Sequence, residues 1–218
     1  MKEAFQKNTA SVVEDLRRVR IVPVLVLNTF DEGMKMCEVL SKNGLLAAEI
    51  TFRTSAAAEI IAGASKRFPE LVLGAGTVLN IKDLKRAIDA GAQFAVSPGF
   101  NPTVVRAAVE CGFPFAPGIC IPGEIEQAYE LGCRFLKFFP AEAMGGVKML
   151  KNLIGPYRHL GIQIMPTGGV NAKNAADYLA VPEIPAVGGT WLAKADDLKA
   201  ENWDKIAGLV AETAIFRQ

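Results

Sequence analysis

The sequence predicts an α/β fold, a (β/α)8 TIM barrel with an N-terminal helix, forming one domain over residues 1–218. Three observations carry that reading. Eight short β-rich apolar runs begin near residues 21, 47, 71, 94, 115, 135, 162 and 186, spaced 20 to 27 residues apart, which is a strand plus its return helix. The most apolar run of the second half, Phe135 to Phe139, suits a strand covered on both faces, as a parallel sheet requires. No Gly-rich dinucleotide loop follows Leu27, which argues against the open doubly wound sheet that is the runner-up.

The elements follow in order. An amphipathic helix is expected over about Lys2 to Arg18, then strands at Ile21–Leu27, Ala47–Phe52, Leu71–Val78, Phe94–Ser97, Phe115–Ile119, Phe135–Phe139, Ile162–Pro166 and Ala186–Gly189. Helix ends are punctuated between them. Asp31 is expected to cap a helix that stops at Asn43-Gly44, and Thr54 or Ser55 one that runs to Phe68. Asn80 opens the next before Gly91, Asn101-Pro102 starts one closed by Gly112, Pro122 starts one closed by Gly132, and Asn171 caps the seventh. Trp203, Ile206, Leu209, Val210 and Ala214 make a final helical face that closes the outer ring.

Composition narrows the function classes. The 24 basic and 23 acidic residues nearly cancel, so no nucleic-acid or membrane partner is expected. No run reaches the roughly 18 to 20 apolar residues of a membrane helix and no secretory signal is recognised, so a cytoplasmic enzyme or binding protein is expected. Cys37, Cys111, Cys120 and Cys133 lack CxxC spacing and read as reduced thiols. His159 is the only histidine, which excludes a multi-histidine zinc site and leaves no metal expected.

Within FLKFF, period two places Phe135, Lys137 and Phe139 on one face, with Leu136 and Phe138 on the other. A lysine carried into a core loses hydration that favours its ammonium form, so a neutral, nucleophilic amine becomes accessible, as Schiff-base chemistry needs. In the second strand Ala47, Glu49 and Thr51 share a face, so Glu49 also points inward. Lys137 lies 88 residues beyond Glu49, or four βα units. Both belong to even-numbered strands on opposite sides of the ring and can share one layer. Such a pair suits catalysis or a structural ion pair, and spacing does not choose between them.

The loops after the seventh and eighth strands carry Thr167-Gly168-Gly169 and Gly188-Gly189-Thr190. Glycines there let backbone N–H groups approach an anion, at the usual phosphate site of this architecture. Arg53 after the second strand, able to grip a carboxylate, Thr77 and Ser97-Pro98 complete a polar pocket.

The strings EITFRT (Glu49 to Thr54), GAGTVLN (Gly74 to Asn80), FAVSPGF (Phe94 to Phe100), FLKFFPAEAMGGVK (Phe135 to Lys148), PTGGV (Pro166 to Val170) and VGGTWL (Val187 to Leu192) resemble the bacterial 2-keto-3-deoxy-6-phosphogluconate (KDPG) aldolase family. Many members also cleave 4-hydroxy-2-oxoglutarate. The resemblance spans nearly the whole chain. It implies a cofactor-free class I aldolase, a homotrimer, that splits a phosphorylated keto acid, KDPG, into pyruvate and glyceraldehyde 3-phosphate. By matching position, Lys137 would form the imine and Glu49 would be the acid/base. Arg53 and Thr77 would hold the pyruvate carboxylate region, with Pro98 and Phe139 lining the site. Gly168, Gly169 and Thr190 would take the phosphate, and Thr167 would lie beside the pyruvyl end.

Two departures from the family pattern stand out. Thr190 replaces a frequent serine and keeps the hydroxyl; Ile121 replaces a frequent threonine and loses a polar group near the fifth strand's end. The alternatives are an aldolase for the C4 epimer of KDPG, one acting mainly on 4-hydroxy-2-oxoglutarate, a phosphosugar isomerase or epimerase barrel, and a non-enzymatic phosphate-binding barrel.

Overall fold

The structure, a computed structural model, describes residues 1–217. Nine parallel strand segments form its sheet: β1 (Ile21–Leu25), β2 (Ala47–Thr51), β3 (Val72–Gly76), β4 (Phe94–Val96), β5 (Phe115–Ala116), β6 (Gly118–Ile119), β7 (Phe135–Phe138), β8 (Gln163–Pro166) and β9 (Val187–Gly189). They pair in the orders β5-β4-β3-β2-β1-β9 and β6-β7-β8. The fifth expected strand is one extended run broken at Pro117, which has no N–H to donate but whose carbonyl accepts from the Lys137 amide at 2.9 Å. A parallel bridge between Thr167 and Gly188 joins the β8 side to β9 and completes the eight-position ring.

Side-chain alternation divides the apolar residues into two clusters. Inside the ring lie Val22, Ala47, Phe94, Val96, Ala116, Phe135, Met165 and Ala186, packed against Val12, Val13 and Leu16 of α1 (Lys2–Val19). The N-terminal helix therefore plugs the lower mouth of the barrel. Leu136, Phe138, Ala48 and Ile50 belong to the outer cluster beneath the helices. Phe135 and Ala47 thus floor the barrel under Lys137 and Glu49, the two inward positions next along their strands. Burying a Phe or Leu side chain contributes about 1.5–3 kcal/mol, so a one-residue slip that exchanged the two faces of β7 would be strongly disfavoured.

The outer ring is α2 (Phe30–Lys42), α3 (Ala57–Arg67), α4 (Ile81–Asp89), α5 (Pro102–Cys111), α6 (Pro122–Leu131), α7 (Gly146–Ile154), α8 (Ala175–Leu179), α9 (Ala195–Lys199) and α10 (Trp203–Glu212). Asn80 and Asn101 cap as expected, and Gly112 and Gly132 close their helices in the left-handed region. Three caps differ. Thr29, not Asp31, accepts from the Glu32 amide at the start of α2, because Asp31 already lies in the first turn. Thr54 instead donates to the Leu27 carbonyl at 2.6 Å, tying the β2–α3 loop to β1, and α3 starts only at Ala57. Asn171 accepts from Lys173 within a turn, and α8 follows Asn174. The last helix breaks into a 3-10 turn at Thr213–Phe216.

All four cysteines are free thiols, with Cys37 and Cys133 buried and Cys111 exposed. Burial pushes the Cys37 and Cys133 thiols from an ordinary 9.0 up to about 12. In the folded protein iodoacetamide at pH 8 is expected to label Cys111 and spare Cys37 and Cys133, read by peptide mass. Because the folded state raises these two thiols, their contribution to stability is complete below pH 9.0 and is lost as pH climbs toward about 12. Labelling of Cys37 at the rate of Cys111 would contradict this packing.

Candidate active site

The two inward charges meet at the C-terminal side of the ring. Lys137 Nζ donates to both carboxylate oxygens of Glu49, at 2.9 and 3.1 Å, and the residues are only 5% and 1% exposed. The pairing register explains why they share a level: Glu49 sits between Val24 of β1 and Gly74 of β3, and Lys137 between Gly118 of β6 and Met165 of β8. An isolated buried ion would cost several kcal/mol, so each charge is tolerated here because the other faces it. One hydrogen bond separates the amine from a carboxyl oxygen, so a proton can pass between them without a water. The Phe139 ring lies beside the ammonium, its centroid 5.8 Å away.

Two glycines that sequence reasoning did not single out give clearance at this level of the barrel. A Cβ built on Gly76 would run into the Glu49 carboxylate, and one on Gly118 into the Pro98 carbonyl. The signal was present, since a glycine inside an apolar strand marks a close approach. The backbone of Gly76 is not in the left-handed region, so alanine fits there conformationally and only the contact is at stake. Gly76→Ala is expected to push the Glu49 carboxylate off its contact with Lys137 while the far-UV CD stays native; with the pair in the catalytic role its sequence suggests, a shift of an ångström lowers turnover by about 10²-fold. Unchanged steady-state kinetics would mean that the carboxylate's position is unimportant.

The remaining expected residues rim the same end. Thr77 has φ +58°, rare for a β-branched side chain and a strain that accumulates where a residue must be held for function. Thr167, 4% exposed, has a hydroxyl with no hydrogen-bond partner among the described residues. Gly168 and Gly169 adopt φ of +99° and +81°, and the Phe139 ring stands 3.2 Å from the site of a Gly168 Cβ. Pro98 and Phe139 are half-buried. Arg53 and Thr190 are exposed just past β2 and β9. The structure thus brings Glu49, Lys137 and Phe139 together, with Gly168 against Phe139, while Arg53 and Thr190 stand exposed at the rim. Ile121, 51% exposed, precedes α6, and the Glu124 carboxylate accepts from the Cys120 amide in front of it at 2.7 Å. A cleft of about 680 Å³ between Thr29, Lys35, Leu198 and Trp203 is lined by none of the expected site residues and contributes nothing to this chemistry.

The KDPG and KHG aldolase family model matches residues 12–209. A 2-dehydro-3-deoxy-phosphogluconate aldolase of Haemophilus influenzae is 46% identical over 94% of this chain and 95% of its own. The chain belongs to the KDPG and KHG aldolase family. A KHG/KDPG aldolase of Escherichia coli is 40% identical over 88% of this chain and 89% of its own. Among solved structures, a KDPG aldolase of Legionella pneumophila, with pyruvate captured at low pH as a covalent carbinolamine intermediate, superposes with TM-score 0.86 at 31% identity, covering 92% of this chain and 97% of that one. A Zymomonas mobilis 2-keto-3-deoxy-6-phospho-gluconate aldolase gives TM-score 0.86 at 35% identity, over 96% and 98%. The TIM-barrel-like fold and the aldolase family expected from the sequence both hold for this member.

Proposed function

We propose that the chain is a class I aldolase that cleaves KDPG to pyruvate and glyceraldehyde 3-phosphate, and also 4-hydroxy-2-oxoglutarate to pyruvate and glyoxylate. The single observation that carries this reading is the buried 2.9 Å contact between Lys137 Nζ and Glu49. The Lys137 amine, having passed its proton to Glu49, attacks the C2 ketone to form a carbinolamine. Glu49 returns a proton to the leaving hydroxyl, water departs, and a protonated imine remains. Glu49 then takes the C4 hydroxyl proton as the C3–C4 bond breaks; the bond's electron pair flows into the iminium, giving an enamine and releasing the aldehyde. Protonation of the enamine at C3 by Glu49 and attack of water on the imine release pyruvate and restore the amine.

Arg53 and Thr77 hold the substrate carboxylate in this reading, and Pro98, Phe139 and Thr167 wall the pyruvyl end. The left-handed Gly168-Gly169 turn, with φ of +99° and +81°, and Thr190 take the phosphate, since successive N–H groups in such a turn converge on an anion. The second substrate is favoured by the E. coli relative, whose name covers both aldolase activities. Among the described residues no helix is long and apolar enough to cross a membrane. We place the enzyme in the cytoplasm as a homotrimer, on the family resemblance; a single-protomer mass by light scattering would refute the trimer. Pyruvate release from KDPG, its C4 epimer and 4-hydroxy-2-oxoglutarate, each coupled to lactate dehydrogenase, tests the substrate assignment. KDPG is expected to give the highest kcat/KM, and an epimer cleaved faster than KDPG would overturn it.

A further inference from the structure

The segment after the Schiff-base strand carries a carboxylate that the cleavage chemistry does not use. Glu142, in the loop between β7 and α7, is exposed as a residue, yet its side chain turns inward. Its Oε1 accepts from the hydroxyl of Tyr178 at 2.5 Å, and Tyr178, on α8, is 1% exposed. A buried phenol is tolerated only with a partner, and this is the one its hydroxyl has among the described residues. Burial first, then the hydrogen bond to Glu142, hold the phenol above its ordinary range, so it remains a donor.

The same glutamate grips the glycine turn. Its amide donates to the Gly168 carbonyl at 3.0 Å, and the Ala141 amide to the Thr167 carbonyl at 2.8 Å, extending the β7–β8 pairing beyond the strands. The Cβ and Cγ of Glu142 lie only 2.6 Å from where a Gly169 Cβ would sit, so its stem packs flat on that glycine. On the other side, Asn171 and Asn174 donate to the Gly169 carbonyl at 3.0 and 3.3 Å, which aims that carbonyl toward the start of α8. The turn is therefore held from the lysine strand's loop and from the helix that follows it, and the Tyr178–Glu142 bond joins these two supports.

We propose that Tyr178 and Glu142 are positioning residues that set the Gly168-Gly169 turn for the phosphate of the substrate. The inference rests on the phosphate assignment made above. The Lys137 amine bonds to Glu49 and not to this pair.

The two substrates separate this role from a merely structural one, because only KDPG carries a phosphate. In Tyr178→Phe, KM for KDPG is expected to rise about tenfold, what losing one charge-assisted hydrogen bond is worth, with kcat little changed. The kcat/KM for 4-hydroxy-2-oxoglutarate is expected to stay within about twofold, where a general loosening of the fold would lower both. Glu142→Ala should behave like Tyr178→Phe, while Glu142→Gln, which keeps an acceptor oxygen, should largely restore KM for KDPG. Equal losses on both substrates, or no loss on either in Tyr178→Phe, would overturn the proposal. Thr190→Ala, at a residue assigned to the phosphate that lies apart from the Glu142–Tyr178 pair, and competition by inorganic phosphate test the underlying assignment separately. If neither alters KDPG cleavage selectively, the phosphate does not bind at this turn and the inference falls with that assignment. If both do while Tyr178→Phe does not, the assignment stands and the positioning role alone is refuted.

Discussion

Lys137→Ala is expected to abolish turnover on every substrate and to cost about 3–5 kcal/mol of stability, because it removes the proposed nucleophile and strands a buried carboxylate. Glu49 is 1% exposed and its two oxygens both face Nζ, so truncating the lysine leaves it buried without its partner cation. Lys137→Met, which fills the space without the charge, should be equally inactive and also destabilised. Coupling with Glu49→Gln decides how much of that loss is the orphaned charge. The double variant should be more stable than the sum of the single losses indicates, by about 0.5–3 kcal/mol, as expected for residues in direct contact. Additive losses in urea unfolding would mean that the two charges do not support one another.

Glu49→Gln is expected to lower kcat by about 10²–10⁴ while leaving the protein folded. The amide keeps an oxygen to accept from Lys137 but cannot take the proton of the C4 hydroxyl or return one to the enamine. Imine formation should persist more slowly, so the loss appears chiefly in kcat for cleavage. A variant with full kcat would remove Glu49 from the proton transfers and leave it as a structural counter-ion, the alternative that sequence spacing left open.

Much of this site was legible because a parallel barrel turns sequence periodicity into geometry. In FLKFF, period two assigns Phe135 and Lys137 to the interior and Leu136 and Phe138 to the outer layer, and the two clusters divide that way. Counting βα units from Glu49 to Lys137 then places the charges across the ring, where their contact is 2.9 Å. What escaped the sequence has local physical causes. Pro117 splits the fifth strand because it lacks a donor, yet it stays in the ring by lending its carbonyl to Lys137. Thr54 looked like a cap but spends its hydroxyl on the Leu27 carbonyl, a tertiary contact that no local pattern encodes. The left-handed backbone of Thr77 and the clearance that Gly76 gives Glu49 arise only when three strands are assembled. Glu142 reads as one more exposed acid in a loop until α8 brings Tyr178 to it.

Reductive trapping addresses the central claim, that a dry lysine amine inside the barrel is the nucleophile. The protein is incubated with pyruvate and borohydride, digested, and searched by mass for a reduced pyruvyl group. One adduct per chain, on the peptide carrying Lys137, is the expected result. Adducts confined to surface lysines, or none at all under conditions where KDPG is cleaved, would contradict it.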